Sequence, residues 1–322
     1  MKRLGCGLIV CLLAGAVGTG CDRAGKARPT WAYPTLAAIV PGKLPNPTPG
    51  GPQQLPGSSL SFTQQQAEAA ALATDWYPER HAPMPKIVRD GSGDGGFACA
   101  ACHMPTGFGH AESASLVGLT PAYFIKTMRE FRSGERNEPI RMTGIAKAAS
   151  DQDIEAAAAW FAGLKADNLP WTRVVESATV PKTFIGPGRM RFVDPDAMGA
   201  TEPLGKRIIE VPEDAARMRL HDPAARFIAY VPPGAIARGR ALATTGGGKT
   251  TACITCHGPT LQGLGDVPGT AGNHPLYIVR QLFDFQSGSR HGPDAQLMKP
   301  VVQKLSDADM IDLAAYLGSL RR

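Results

Sequence analysis

Two short cysteine motifs constrain this chain more than any other feature of its sequence. They are C-A-A-C-H at residues 99–103 and C-I-T-C-H at residues 253–257. In each, two thiols and an imidazole lie within about one helical turn. This is the attachment motif of c-type haem, in which the thiols add to the two vinyl groups and the adjacent histidine becomes an axial ligand of the iron. Because the motif occurs twice, we expect two covalently bound haem c groups. The residues expected to hold them are Cys99, Cys102, His103, Cys253, Cys256 and His257.

Two other uses of such cysteines explain the pattern less well. Four-coordinate zinc would need a further ligand beyond each Cys-Cys-His set, and zinc pairs usually have other spacings. A redox-active dithiol of the thioredoxin type accounts for C-x-x-C but not for a histidine that follows it twice. The sequence therefore favours haem over zinc and over dithiol chemistry.

The two motifs belong to an internal duplication. A shift of residues 99–136 by 154 positions gives 13 identities in 38 ungapped positions. With two residues inserted after this block, Met142 aligns with Met298, and they are the only two methionines that the repeat relates. The identities predict two domains of one kind.

Each repeat predicts the same order of helices. A proline, Pro121 or Pro275, opens an amphipathic helix, and a glycine, Gly134 or Gly288, ends it. A methionine-bearing loop then leads to Ser-x-x-Asp, a helix-capping sequence, before the last helix of the repeat. Earlier helices are predicted over residues 64–75 and 236–244.

With these motifs, each repeat resembles a class I cytochrome c, and the pair resembles the di-haem cytochromes of the cytochrome c4 type. The resemblance covers residues 61–168 (cytochrome c domain 1) and 234–322 (cytochrome c domain 2). It implies an all-α fold, a small helical wrap around each haem. It also implies that Met142 and Met298 are the second axial ligands and that the carbonyls of Pro105 and Pro259 orient the proximal histidines.

Histidine ligation of the second axial position remains an alternative. His110 or His291 would then replace a methionine, although neither has a counterpart in the other repeat. Met104, Met128 and Met310 are expected in the core instead. A thioether ligand raises the potential of a haem relative to a second histidine, which suits an electron carrier near the oxidising end of a chain.

The N-terminus reads as an export signal. Residues 1–20 contain two basic residues, a short apolar run and small residues before Cys21, which resembles a bacterial lipoprotein signal with Cys21 as the lipidated residue. Simple cleavage and release is the alternative. Proline-rich residues 21–60 are predicted to be a tether, or else an ordered strap on the first domain. We therefore expect the periplasmic side of a bacterial membrane, with a lipid anchor as the membrane contact.

The segment between the repeats, residues 169–233, is expected to be a long proline-rich irregular connection. Short strands are possible at residues 183–185, 207–211 and 227–231, and a strap packed across both domains is favoured over a docking surface for a redox partner. The formal charge of +6 comes without a basic run, so no nucleic-acid partner is expected.

These features together predict an exported electron-transfer protein and not an enzyme. Each haem has its own methionine, which leaves no open iron position for a substrate. The expected redox partners are a membrane or periplasmic dehydrogenase or a quinol-oxidising complex as donor, and a terminal oxidase or other acceptor. The alternatives are a di-haem enzyme of the peroxidase or thiosulfate dehydrogenase kind and a dedicated cytochrome subunit of a dehydrogenase.

Overall fold

The computed structural model describes residues 27–44, 51–69, 71–93, 96–165 and 172–322. Within these ranges the helices are α1 (Gln64–Ala67), α2 (Lys86–Arg89), α3 (Cys99–His103), α4 (Pro121–Ser133), α5 (Met142–Ala148), α6 (Asp151–Ala162), α7 (Ala215–Arg219), α8 (Ala235–Thr245), α9 (Ile254–His257), α10 (Pro275–Ser287), α11 (Ala295–Val302) and α12 (Asp307–Ser319). The strands are β1 (Gln53–Gln54), β2 (Ser61–Phe62), β3 (Thr172–Glu176), β4 (Thr179–Pro181), β5 (Thr183–Ile185), β6 (Arg191–Val193), β7 (Thr201–Pro203), β8 (Ile209–Pro212), β9 (Phe227–Val231), β10 (Gly263–Leu264) and β11 (Val267–Pro268).

The middle helices of the two repeats, α4 and α10, begin and end where the sequence predicts. Each starts with a proline at its first position, where the missing N–H costs no helical hydrogen bond. Each ends at a glycine in the left-handed conformation, Gly134 with φ 86° and Gly288 with φ 80°. The apolar face of α4 is buried in the core of the first repeat, and that of α10 in the core of the second.

The last helices of the repeats, α6 and α12, are fixed at their N-termini by equivalent capping boxes. The Ser150 hydroxyl accepts from the Asp153 N–H at 3.1 Å, and the Ser306 hydroxyl accepts from the Asp309 N–H at 3.2 Å. Helix α12 packs on α8 and α10, while α6 packs on α4 and the short α2. The predicted capped helices are thereby confirmed.

The early helix of the first repeat is shorter than predicted. Of residues 64–75 only Gln64–Ala67 are helical, and the Thr74 hydroxyl then donates to the Ala67 carbonyl at 3.1 Å. In this repeat the single turn α2 packs against the last helix, α6, as α8 packs against α12 in the second repeat. In the second repeat α8 confirms the prediction over residues 236–244.

The expectation of an all-α molecule is met only in part: both repeats are mainly helical, although the second also contains the short antiparallel pair β10–β11. In the segment between the repeats, β5 and β9 confirm the possible strands at residues 183–185 and 227–231, and β8 overlaps the one at residues 207–211. That segment forms a three-stranded sheet of order β3-β9-β8, in which β3 is parallel and β8 antiparallel to β9. Strands β4 and β7 form one further antiparallel pair, and β5 and β6 another. Phe227, Ala229 and Val231 of β9 are buried in the core of the second repeat, so the sheet extends that core instead of forming an irregular connection.

The same segment also packs on residues near the start of the chain. The indole N–H of Trp76 donates to the Leu220 carbonyl at 2.8 Å, and Arg219 forms an ion pair of 2.6 Å with Glu68. Trp76 is 1% exposed within a small cluster that includes Leu55 and Leu220. The segment thus contacts both halves of the molecule, as a packed strap would.

The described part of the predicted tether is packed against the rest of the protein. Ala32 is 1% exposed in the core of the second repeat, and Ile39 pairs in parallel with Ile185 of β5. The ordered strap is therefore the arrangement seen for residues 27–44. It lies mainly on the second repeat and the intervening segment, and Arg28 also donates to the Asn137 carbonyl of the first domain at 3.3 Å. Residues 1–20 and Cys21, on which the export prediction depends, lie outside the described residues. Among those described, no helix is long and apolar enough to cross a membrane.

Candidate functional site

The two cysteine motifs fold into equivalent short helices. Helix α3 spans the first motif from Cys99 to His103, and α9 spans Ile254–His257 with Cys253 as its N-cap residue. The chain turns sharply after each histidine, with φ 63° at Met104 and 83° at Gly258. Both motifs therefore present their thiols and imidazole from one turn of helix, as attachment to a haem edge requires.

Burial acts on one thiol of each motif in the same way. Burial raises the pKa of Cys99 to about 12, and burial raises the pKa of Cys253 to about 11. Within the described parts of the chain, no group of three or more His, Cys, Asp or Glu side chains is arranged to hold a metal ion.

Each histidine predicted to be a proximal ligand is oriented by one backbone carbonyl. The Nδ1 of His103 donates to the Ala114 carbonyl at 2.7 Å, and the Nδ1 of His257 donates to the Pro268 carbonyl, also at 2.7 Å. Burial lowers the pKa of both imidazoles, so each ring is neutral and its Nε2 carries the lone pair that a metal requires.

The acceptors of these bonds correct the sequence prediction. We expected the carbonyls of Pro105 and Pro259, which follow the histidines closely in the chain. The observed acceptors lie 11 residues after each histidine, Pro268 in β11 and Ala114 at the equivalent position of the first repeat. A carbonyl two residues along the chain belongs to the turn that leaves the helix, whereas a loop that returns after eleven residues can face the ring.

One cavity of about 1230 Å³ contains both sites. Cysteine and histidine side chains of both motifs line it, and so do Met142 at the start of α5 and Met298 in α11. Pockets for one drug-sized ligand have volumes of about 300–1,000 Å³, so this cavity is larger than such a pocket. Apolar side chains from the middle and last helices complete the walls, among them Phe124, Ile154 and Leu282. The volume, the apolar walls and the paired donor sets fit two haem groups.

The other histidines considered as ligands do not line this cavity. His110 is 7% exposed, with Nδ1 accepting from the Glu112 N–H at 3.2 Å and Nε2 3.3 Å from the Ser113 hydroxyl. The Nδ1 of His291 donates to the Gly288 carbonyl at 3.1 Å. Met104 and Met310 are core residues, as expected. Met128 lines the cavity but is 6% exposed within the packed core of the first repeat.

The site includes a crossed pair of arginines that the sequence prediction missed. Arg136 of the first repeat donates to the Tyr277 hydroxyl of the second at 3.1 Å, and Arg290 of the second donates to the Tyr123 hydroxyl of the first at 2.9 Å. Gln281 accepts from both arginines, at 2.8 and 3.2 Å. All five side chains line the cavity. The sequence could have indicated these residues, because the tyrosine and the arginine each occur at equivalent positions of the two repeats.

The N-terminal strap, residues 27–44, forms a further wall of the cavity. It lies outside both repeats, so the comparison of the repeats could not have revealed it. Its Tyr33 hydroxyl lies 2.9 Å from both the Arg280 carbonyl and the Asp284 carboxylate of α10. Arg280 in turn pairs with the buried Glu112 of the first repeat at 2.7 Å. Burial raises the pKa of Glu112, while this guanidinium acts to lower it. The strap therefore closes the cavity on the side where the two repeats meet.

Comparisons with known proteins agree with this geometry. The family model described as Cytochrome c matches residues 236–321. A cytochrome c4 of Stutzerimonas stutzeri is 32% identical over 238 residues, which covers 69% of this chain and 84% of the relative. The chain belongs to the cytochrome c4 family. It is a di-haem cytochrome of the class I type, and its cofactor is covalently bound haem c.

Two further proteins are similar to this cytochrome. A thiosulfate dehydrogenase electron acceptor of Stutzerimonas stutzeri (strain A1501) is 26% identical over 236 residues, 72% of this chain and 83% of the relative. A solved thiosulfate dehydrogenase structure from Marichromatium purpuratum superposes with a TM-score of 0.47 and 26% identity. The superposition covers 80% of this chain and 40% of the chain of that structure.

Proposed function

We propose that the protein is an exported carrier of single electrons between a membrane or periplasmic dehydrogenase, or a quinol-oxidising complex, and a terminal acceptor. The observation that carries this proposal is the pairing, in one cavity, of two sets that each contain a carbonyl-oriented histidine and a methionine. The name of the thiosulfate dehydrogenase electron acceptor among the relatives supports a dehydrogenase as the class of donor.

Each repeat contributes one complete binding set in this proposal. Thioether bonds form through Cys99 and Cys102 in cytochrome c domain 1, residues 61–168, and through Cys253 and Cys256 in cytochrome c domain 2, residues 234–322. His103 with Met142, and His257 with Met298, would hold the two irons. The haem iron supplies the one-electron chemistry when bound. The thioethers of the methionines favour the reduced metal, and the neutral imidazoles keep their orientation through the Ala114 and Pro268 carbonyls.

The crossed arginines fit the negative charge that such a cofactor carries. Arg136 and Arg290 are bonded to neutral hydroxyl and amide oxygens, and the Nε of Arg290 has no hydrogen-bond partner within the described residues. Buried cations are stable when an anion compensates them. Haem carries carboxylates, and Arg136 and Arg290 would hold them where the two repeats meet.

A carrier accounts for this site better than an enzyme does. Both sets include a methionine in addition to the histidine, and with both residues bound to the iron no position would be left for a substrate. After the four attachment cysteines, the cysteines left in the sequence are all at residue 21 or before, so none in either repeat is available as a thiolate ligand of the enzyme kind.

The axial methionines are tested by replacing them one at a time. Met142→Ala should remove about half of the weak sulfur-to-iron band of the oxidised protein in the far red, and Met298→Ala the other half. Each variant should also lower the reduction potential of its own haem, because a thioether ligand raises it. Visible spectra and a redox titration of each variant provide the measurement, and the intact mass should show two haem additions in all of them.

Met128→Leu is the matched control for these variants. Met128 lines the same cavity but packs in the core, and the equivalent residue of the second repeat is Leu282. The band and both potentials should stay as in the parent protein. A band that persists in Met142→Ala, or that is lost in Met128→Leu, would show that the ligand assignment is wrong.

We further propose that residues 1–20 are removed as a signal peptide and that Cys21 carries the lipid that holds the protein at the membrane. The mature chain carries about four positive charges, and four ionised haem carboxylates bring the total near zero, so electrostatic attraction to anionic lipid is weak. Two or more acyl chains suffice for stable anchoring.

Cys21→Ser should therefore release the cytochrome into the soluble periplasmic fraction with both haems intact. A salt wash should leave the unmodified protein on the membrane, because its attachment is apolar. Fractionation followed by haem staining measures both results. Release by salt alone, or retention of Cys21→Ser on membranes, would instead indicate that a partner complex holds the protein.

A further inference from the structure

Arg322 joins the two repeats at a place that the proposed ligand sets do not use. After α12 ends at Ser319 the chain turns, and the guanidinium of Arg322 reaches the first repeat. Its Nη1 donates to the Ser115 hydroxyl at 2.7 Å and to the Val117 carbonyl. Its Nη2 donates to the Asn273 side-chain oxygen at 2.6 Å. One planar group thus binds both repeats at once.

Two of these partners, Ser115 and Asn273, belong to the loops that orient the proximal histidines. Ser115 directly follows Ala114, whose carbonyl accepts from His103. The amide of Asn273 donates to the carbonyls of residues 269 and 270, at 3.1 and 3.3 Å, directly after Pro268, whose carbonyl accepts from His257. A continuous chain of hydrogen bonds and adjacent residues therefore connects the two imidazoles through Arg322.

The surrounding backbone is shaped for this side chain. Gly272 has a φ of 68°, and a Cβ on it would lie 2.9 Å from the Cγ of Arg322 and 3.0 Å from its backbone nitrogen. The Ser115 hydroxyl is itself held by the Gly107 carbonyl at 3.2 Å. The glycine thus leaves room for the backbone and the first part of the Arg322 side chain, and the hydroxyl that accepts from the guanidinium is itself fixed.

The guanidinium is also a charge at the wall of the haem cavity. Burial lowers the pKa of Arg322 to about 10, so it remains protonated at neutral pH. No Asp or Glu side chain of the described residues forms an ion pair with it, and its partners are a hydroxyl, a carbonyl and an amide oxygen. A cation without a compensating anion in a site of low dielectric acts strongly on nearby charge.

We propose that Arg322 is a shared positioning residue, which holds the proximal histidines of both haems through their loops and favours the reduced state of both irons by its charge. The proposal rests on the assignment of His103 and His257 as proximal ligands. According to this proposal, replacing one side chain changes both iron sites, although each repeat has its own complete set of ligands. A residue that only tied the repeats together would leave the iron sites unaltered.

The test compares Arg322→Gln and Arg322→Lys with the parent holoprotein. Arg322→Gln should lower both midpoint potentials and shift the proximal imidazole resonances of both haems in proton NMR spectra of the ferric protein. Arg322→Lys keeps the charge but not the planar fork. It should leave the potentials closer to those of the parent while shifting the same resonances. Arg240→Gln, on the exposed side of α8, should change neither.

Single-ended variants keep the test decisive if Arg322→Gln does not fold. Ser115→Ala should shift the His103 resonances more than those of His257, and Asn273→Ser should do the reverse. A response of one haem alone to Arg322→Gln, or of neither, would overturn the proposal, as would equal effects of the two single-ended variants. The far-red band reports the methionines separately, so failure of that assignment would leave this test intact.

Discussion

At the scale of single residues, His221 makes the fold sensitive to acid. Its Nδ1 is buried without a hydrogen-bond partner within the described residues, and burial lowers its pKa to about 4. Between pH 6.5 and about 4 the unfolded chain therefore binds a proton that the folded chain does not, and the free energy of unfolding falls as the pH falls. At pH 4.5 this group should cost on the order of 2 kcal/mol.

His221→Asn should remove most of that loss. Its backbone has a φ of 51°, a left-handed conformation that asparagine tolerates well. Urea unfolding of both proteins at pH 7 and pH 4.5 measures the change. His81 serves as a control of opposite sign, because a hydrogen bond to Asp75 raises its pKa. His81 stabilises the fold below pH 6.5, and this contribution disappears as the pH rises through its folded pKa, so His81→Asn should weaken the protein more at pH 4.5.

The attachment residues could be predicted from sequence because their geometry is local. Two cysteines and a histidine on one turn need no knowledge of the rest of the fold. The carbonyl acceptors could not be found in this way, since Ala114 and Pro268 reach the rings only after a loop has closed. Arg136 and Arg290 cross between the repeats, so their partners depend on how the two domains dock.

At the scale of elements, the two capping boxes offer a matched comparison. Ser150→Ala and Ser306→Ala each remove an equivalent bond at the start of a last helix, and each should lower the free energy of unfolding by about 1 kcal/mol. Asp309→Asn should cost more than Asp153→Asn. Asp309 also pairs with Lys249 at 2.8 Å and is 8% exposed. Chemical denaturation of the four variants tests this order, and an equal cost for the two aspartates would contradict it.

The helices were predictable from sequence where they carry their own end signals. Proline starts, glycine ends and Ser-x-x-Asp caps mark α4, α6, α10 and α12. Strand β3 carries no such signal, and its partner β9 lies 55 residues further along the chain. A parallel pair of this kind is stabilised by long-range burial. The sequence therefore indicated short strands at β5, β8 and β9 but neither β3 nor its pairing with β9.

At the scale of the whole molecule, several connections besides Arg322 and the Arg280–Glu112 ion pair hold the repeats together. The crossed arginines lie between the middle helices, the sheet extends the second core, and the strap runs over the junction. The strap also covers the cavity with residues such as Thr30, Pro34 and Leu36. Its attachment should therefore control how readily water reaches the space between the two haem sites.

Tyr33→Phe tests that attachment. The variant loses the hydroxyl contacts with the Arg280 carbonyl and the Asp284 carboxylate, and burial together with Asp284 raises the pKa of this phenol well above its usual value, so it remains a donor at any physiological pH. A hydrogen bond to a charged group contributes about 1.5–3 kcal/mol, so the free energy of unfolding should fall by roughly 2 kcal/mol. Amide hydrogen exchange should speed up in residues 28–40.

Tyr77→Phe is the matched control for this variant. The Tyr77 hydroxyl donates to the Pro56 carbonyl at 2.9 Å, but this bond is exposed and its acceptor is neutral. Its loss should cost less than about 1 kcal/mol and leave exchange in the strap unchanged. Equal costs for the two variants, or unchanged exchange over residues 28–40 in Tyr33→Phe, would show that the buried apolar residues of the strap, Ala32 above all, hold it in place without the phenol.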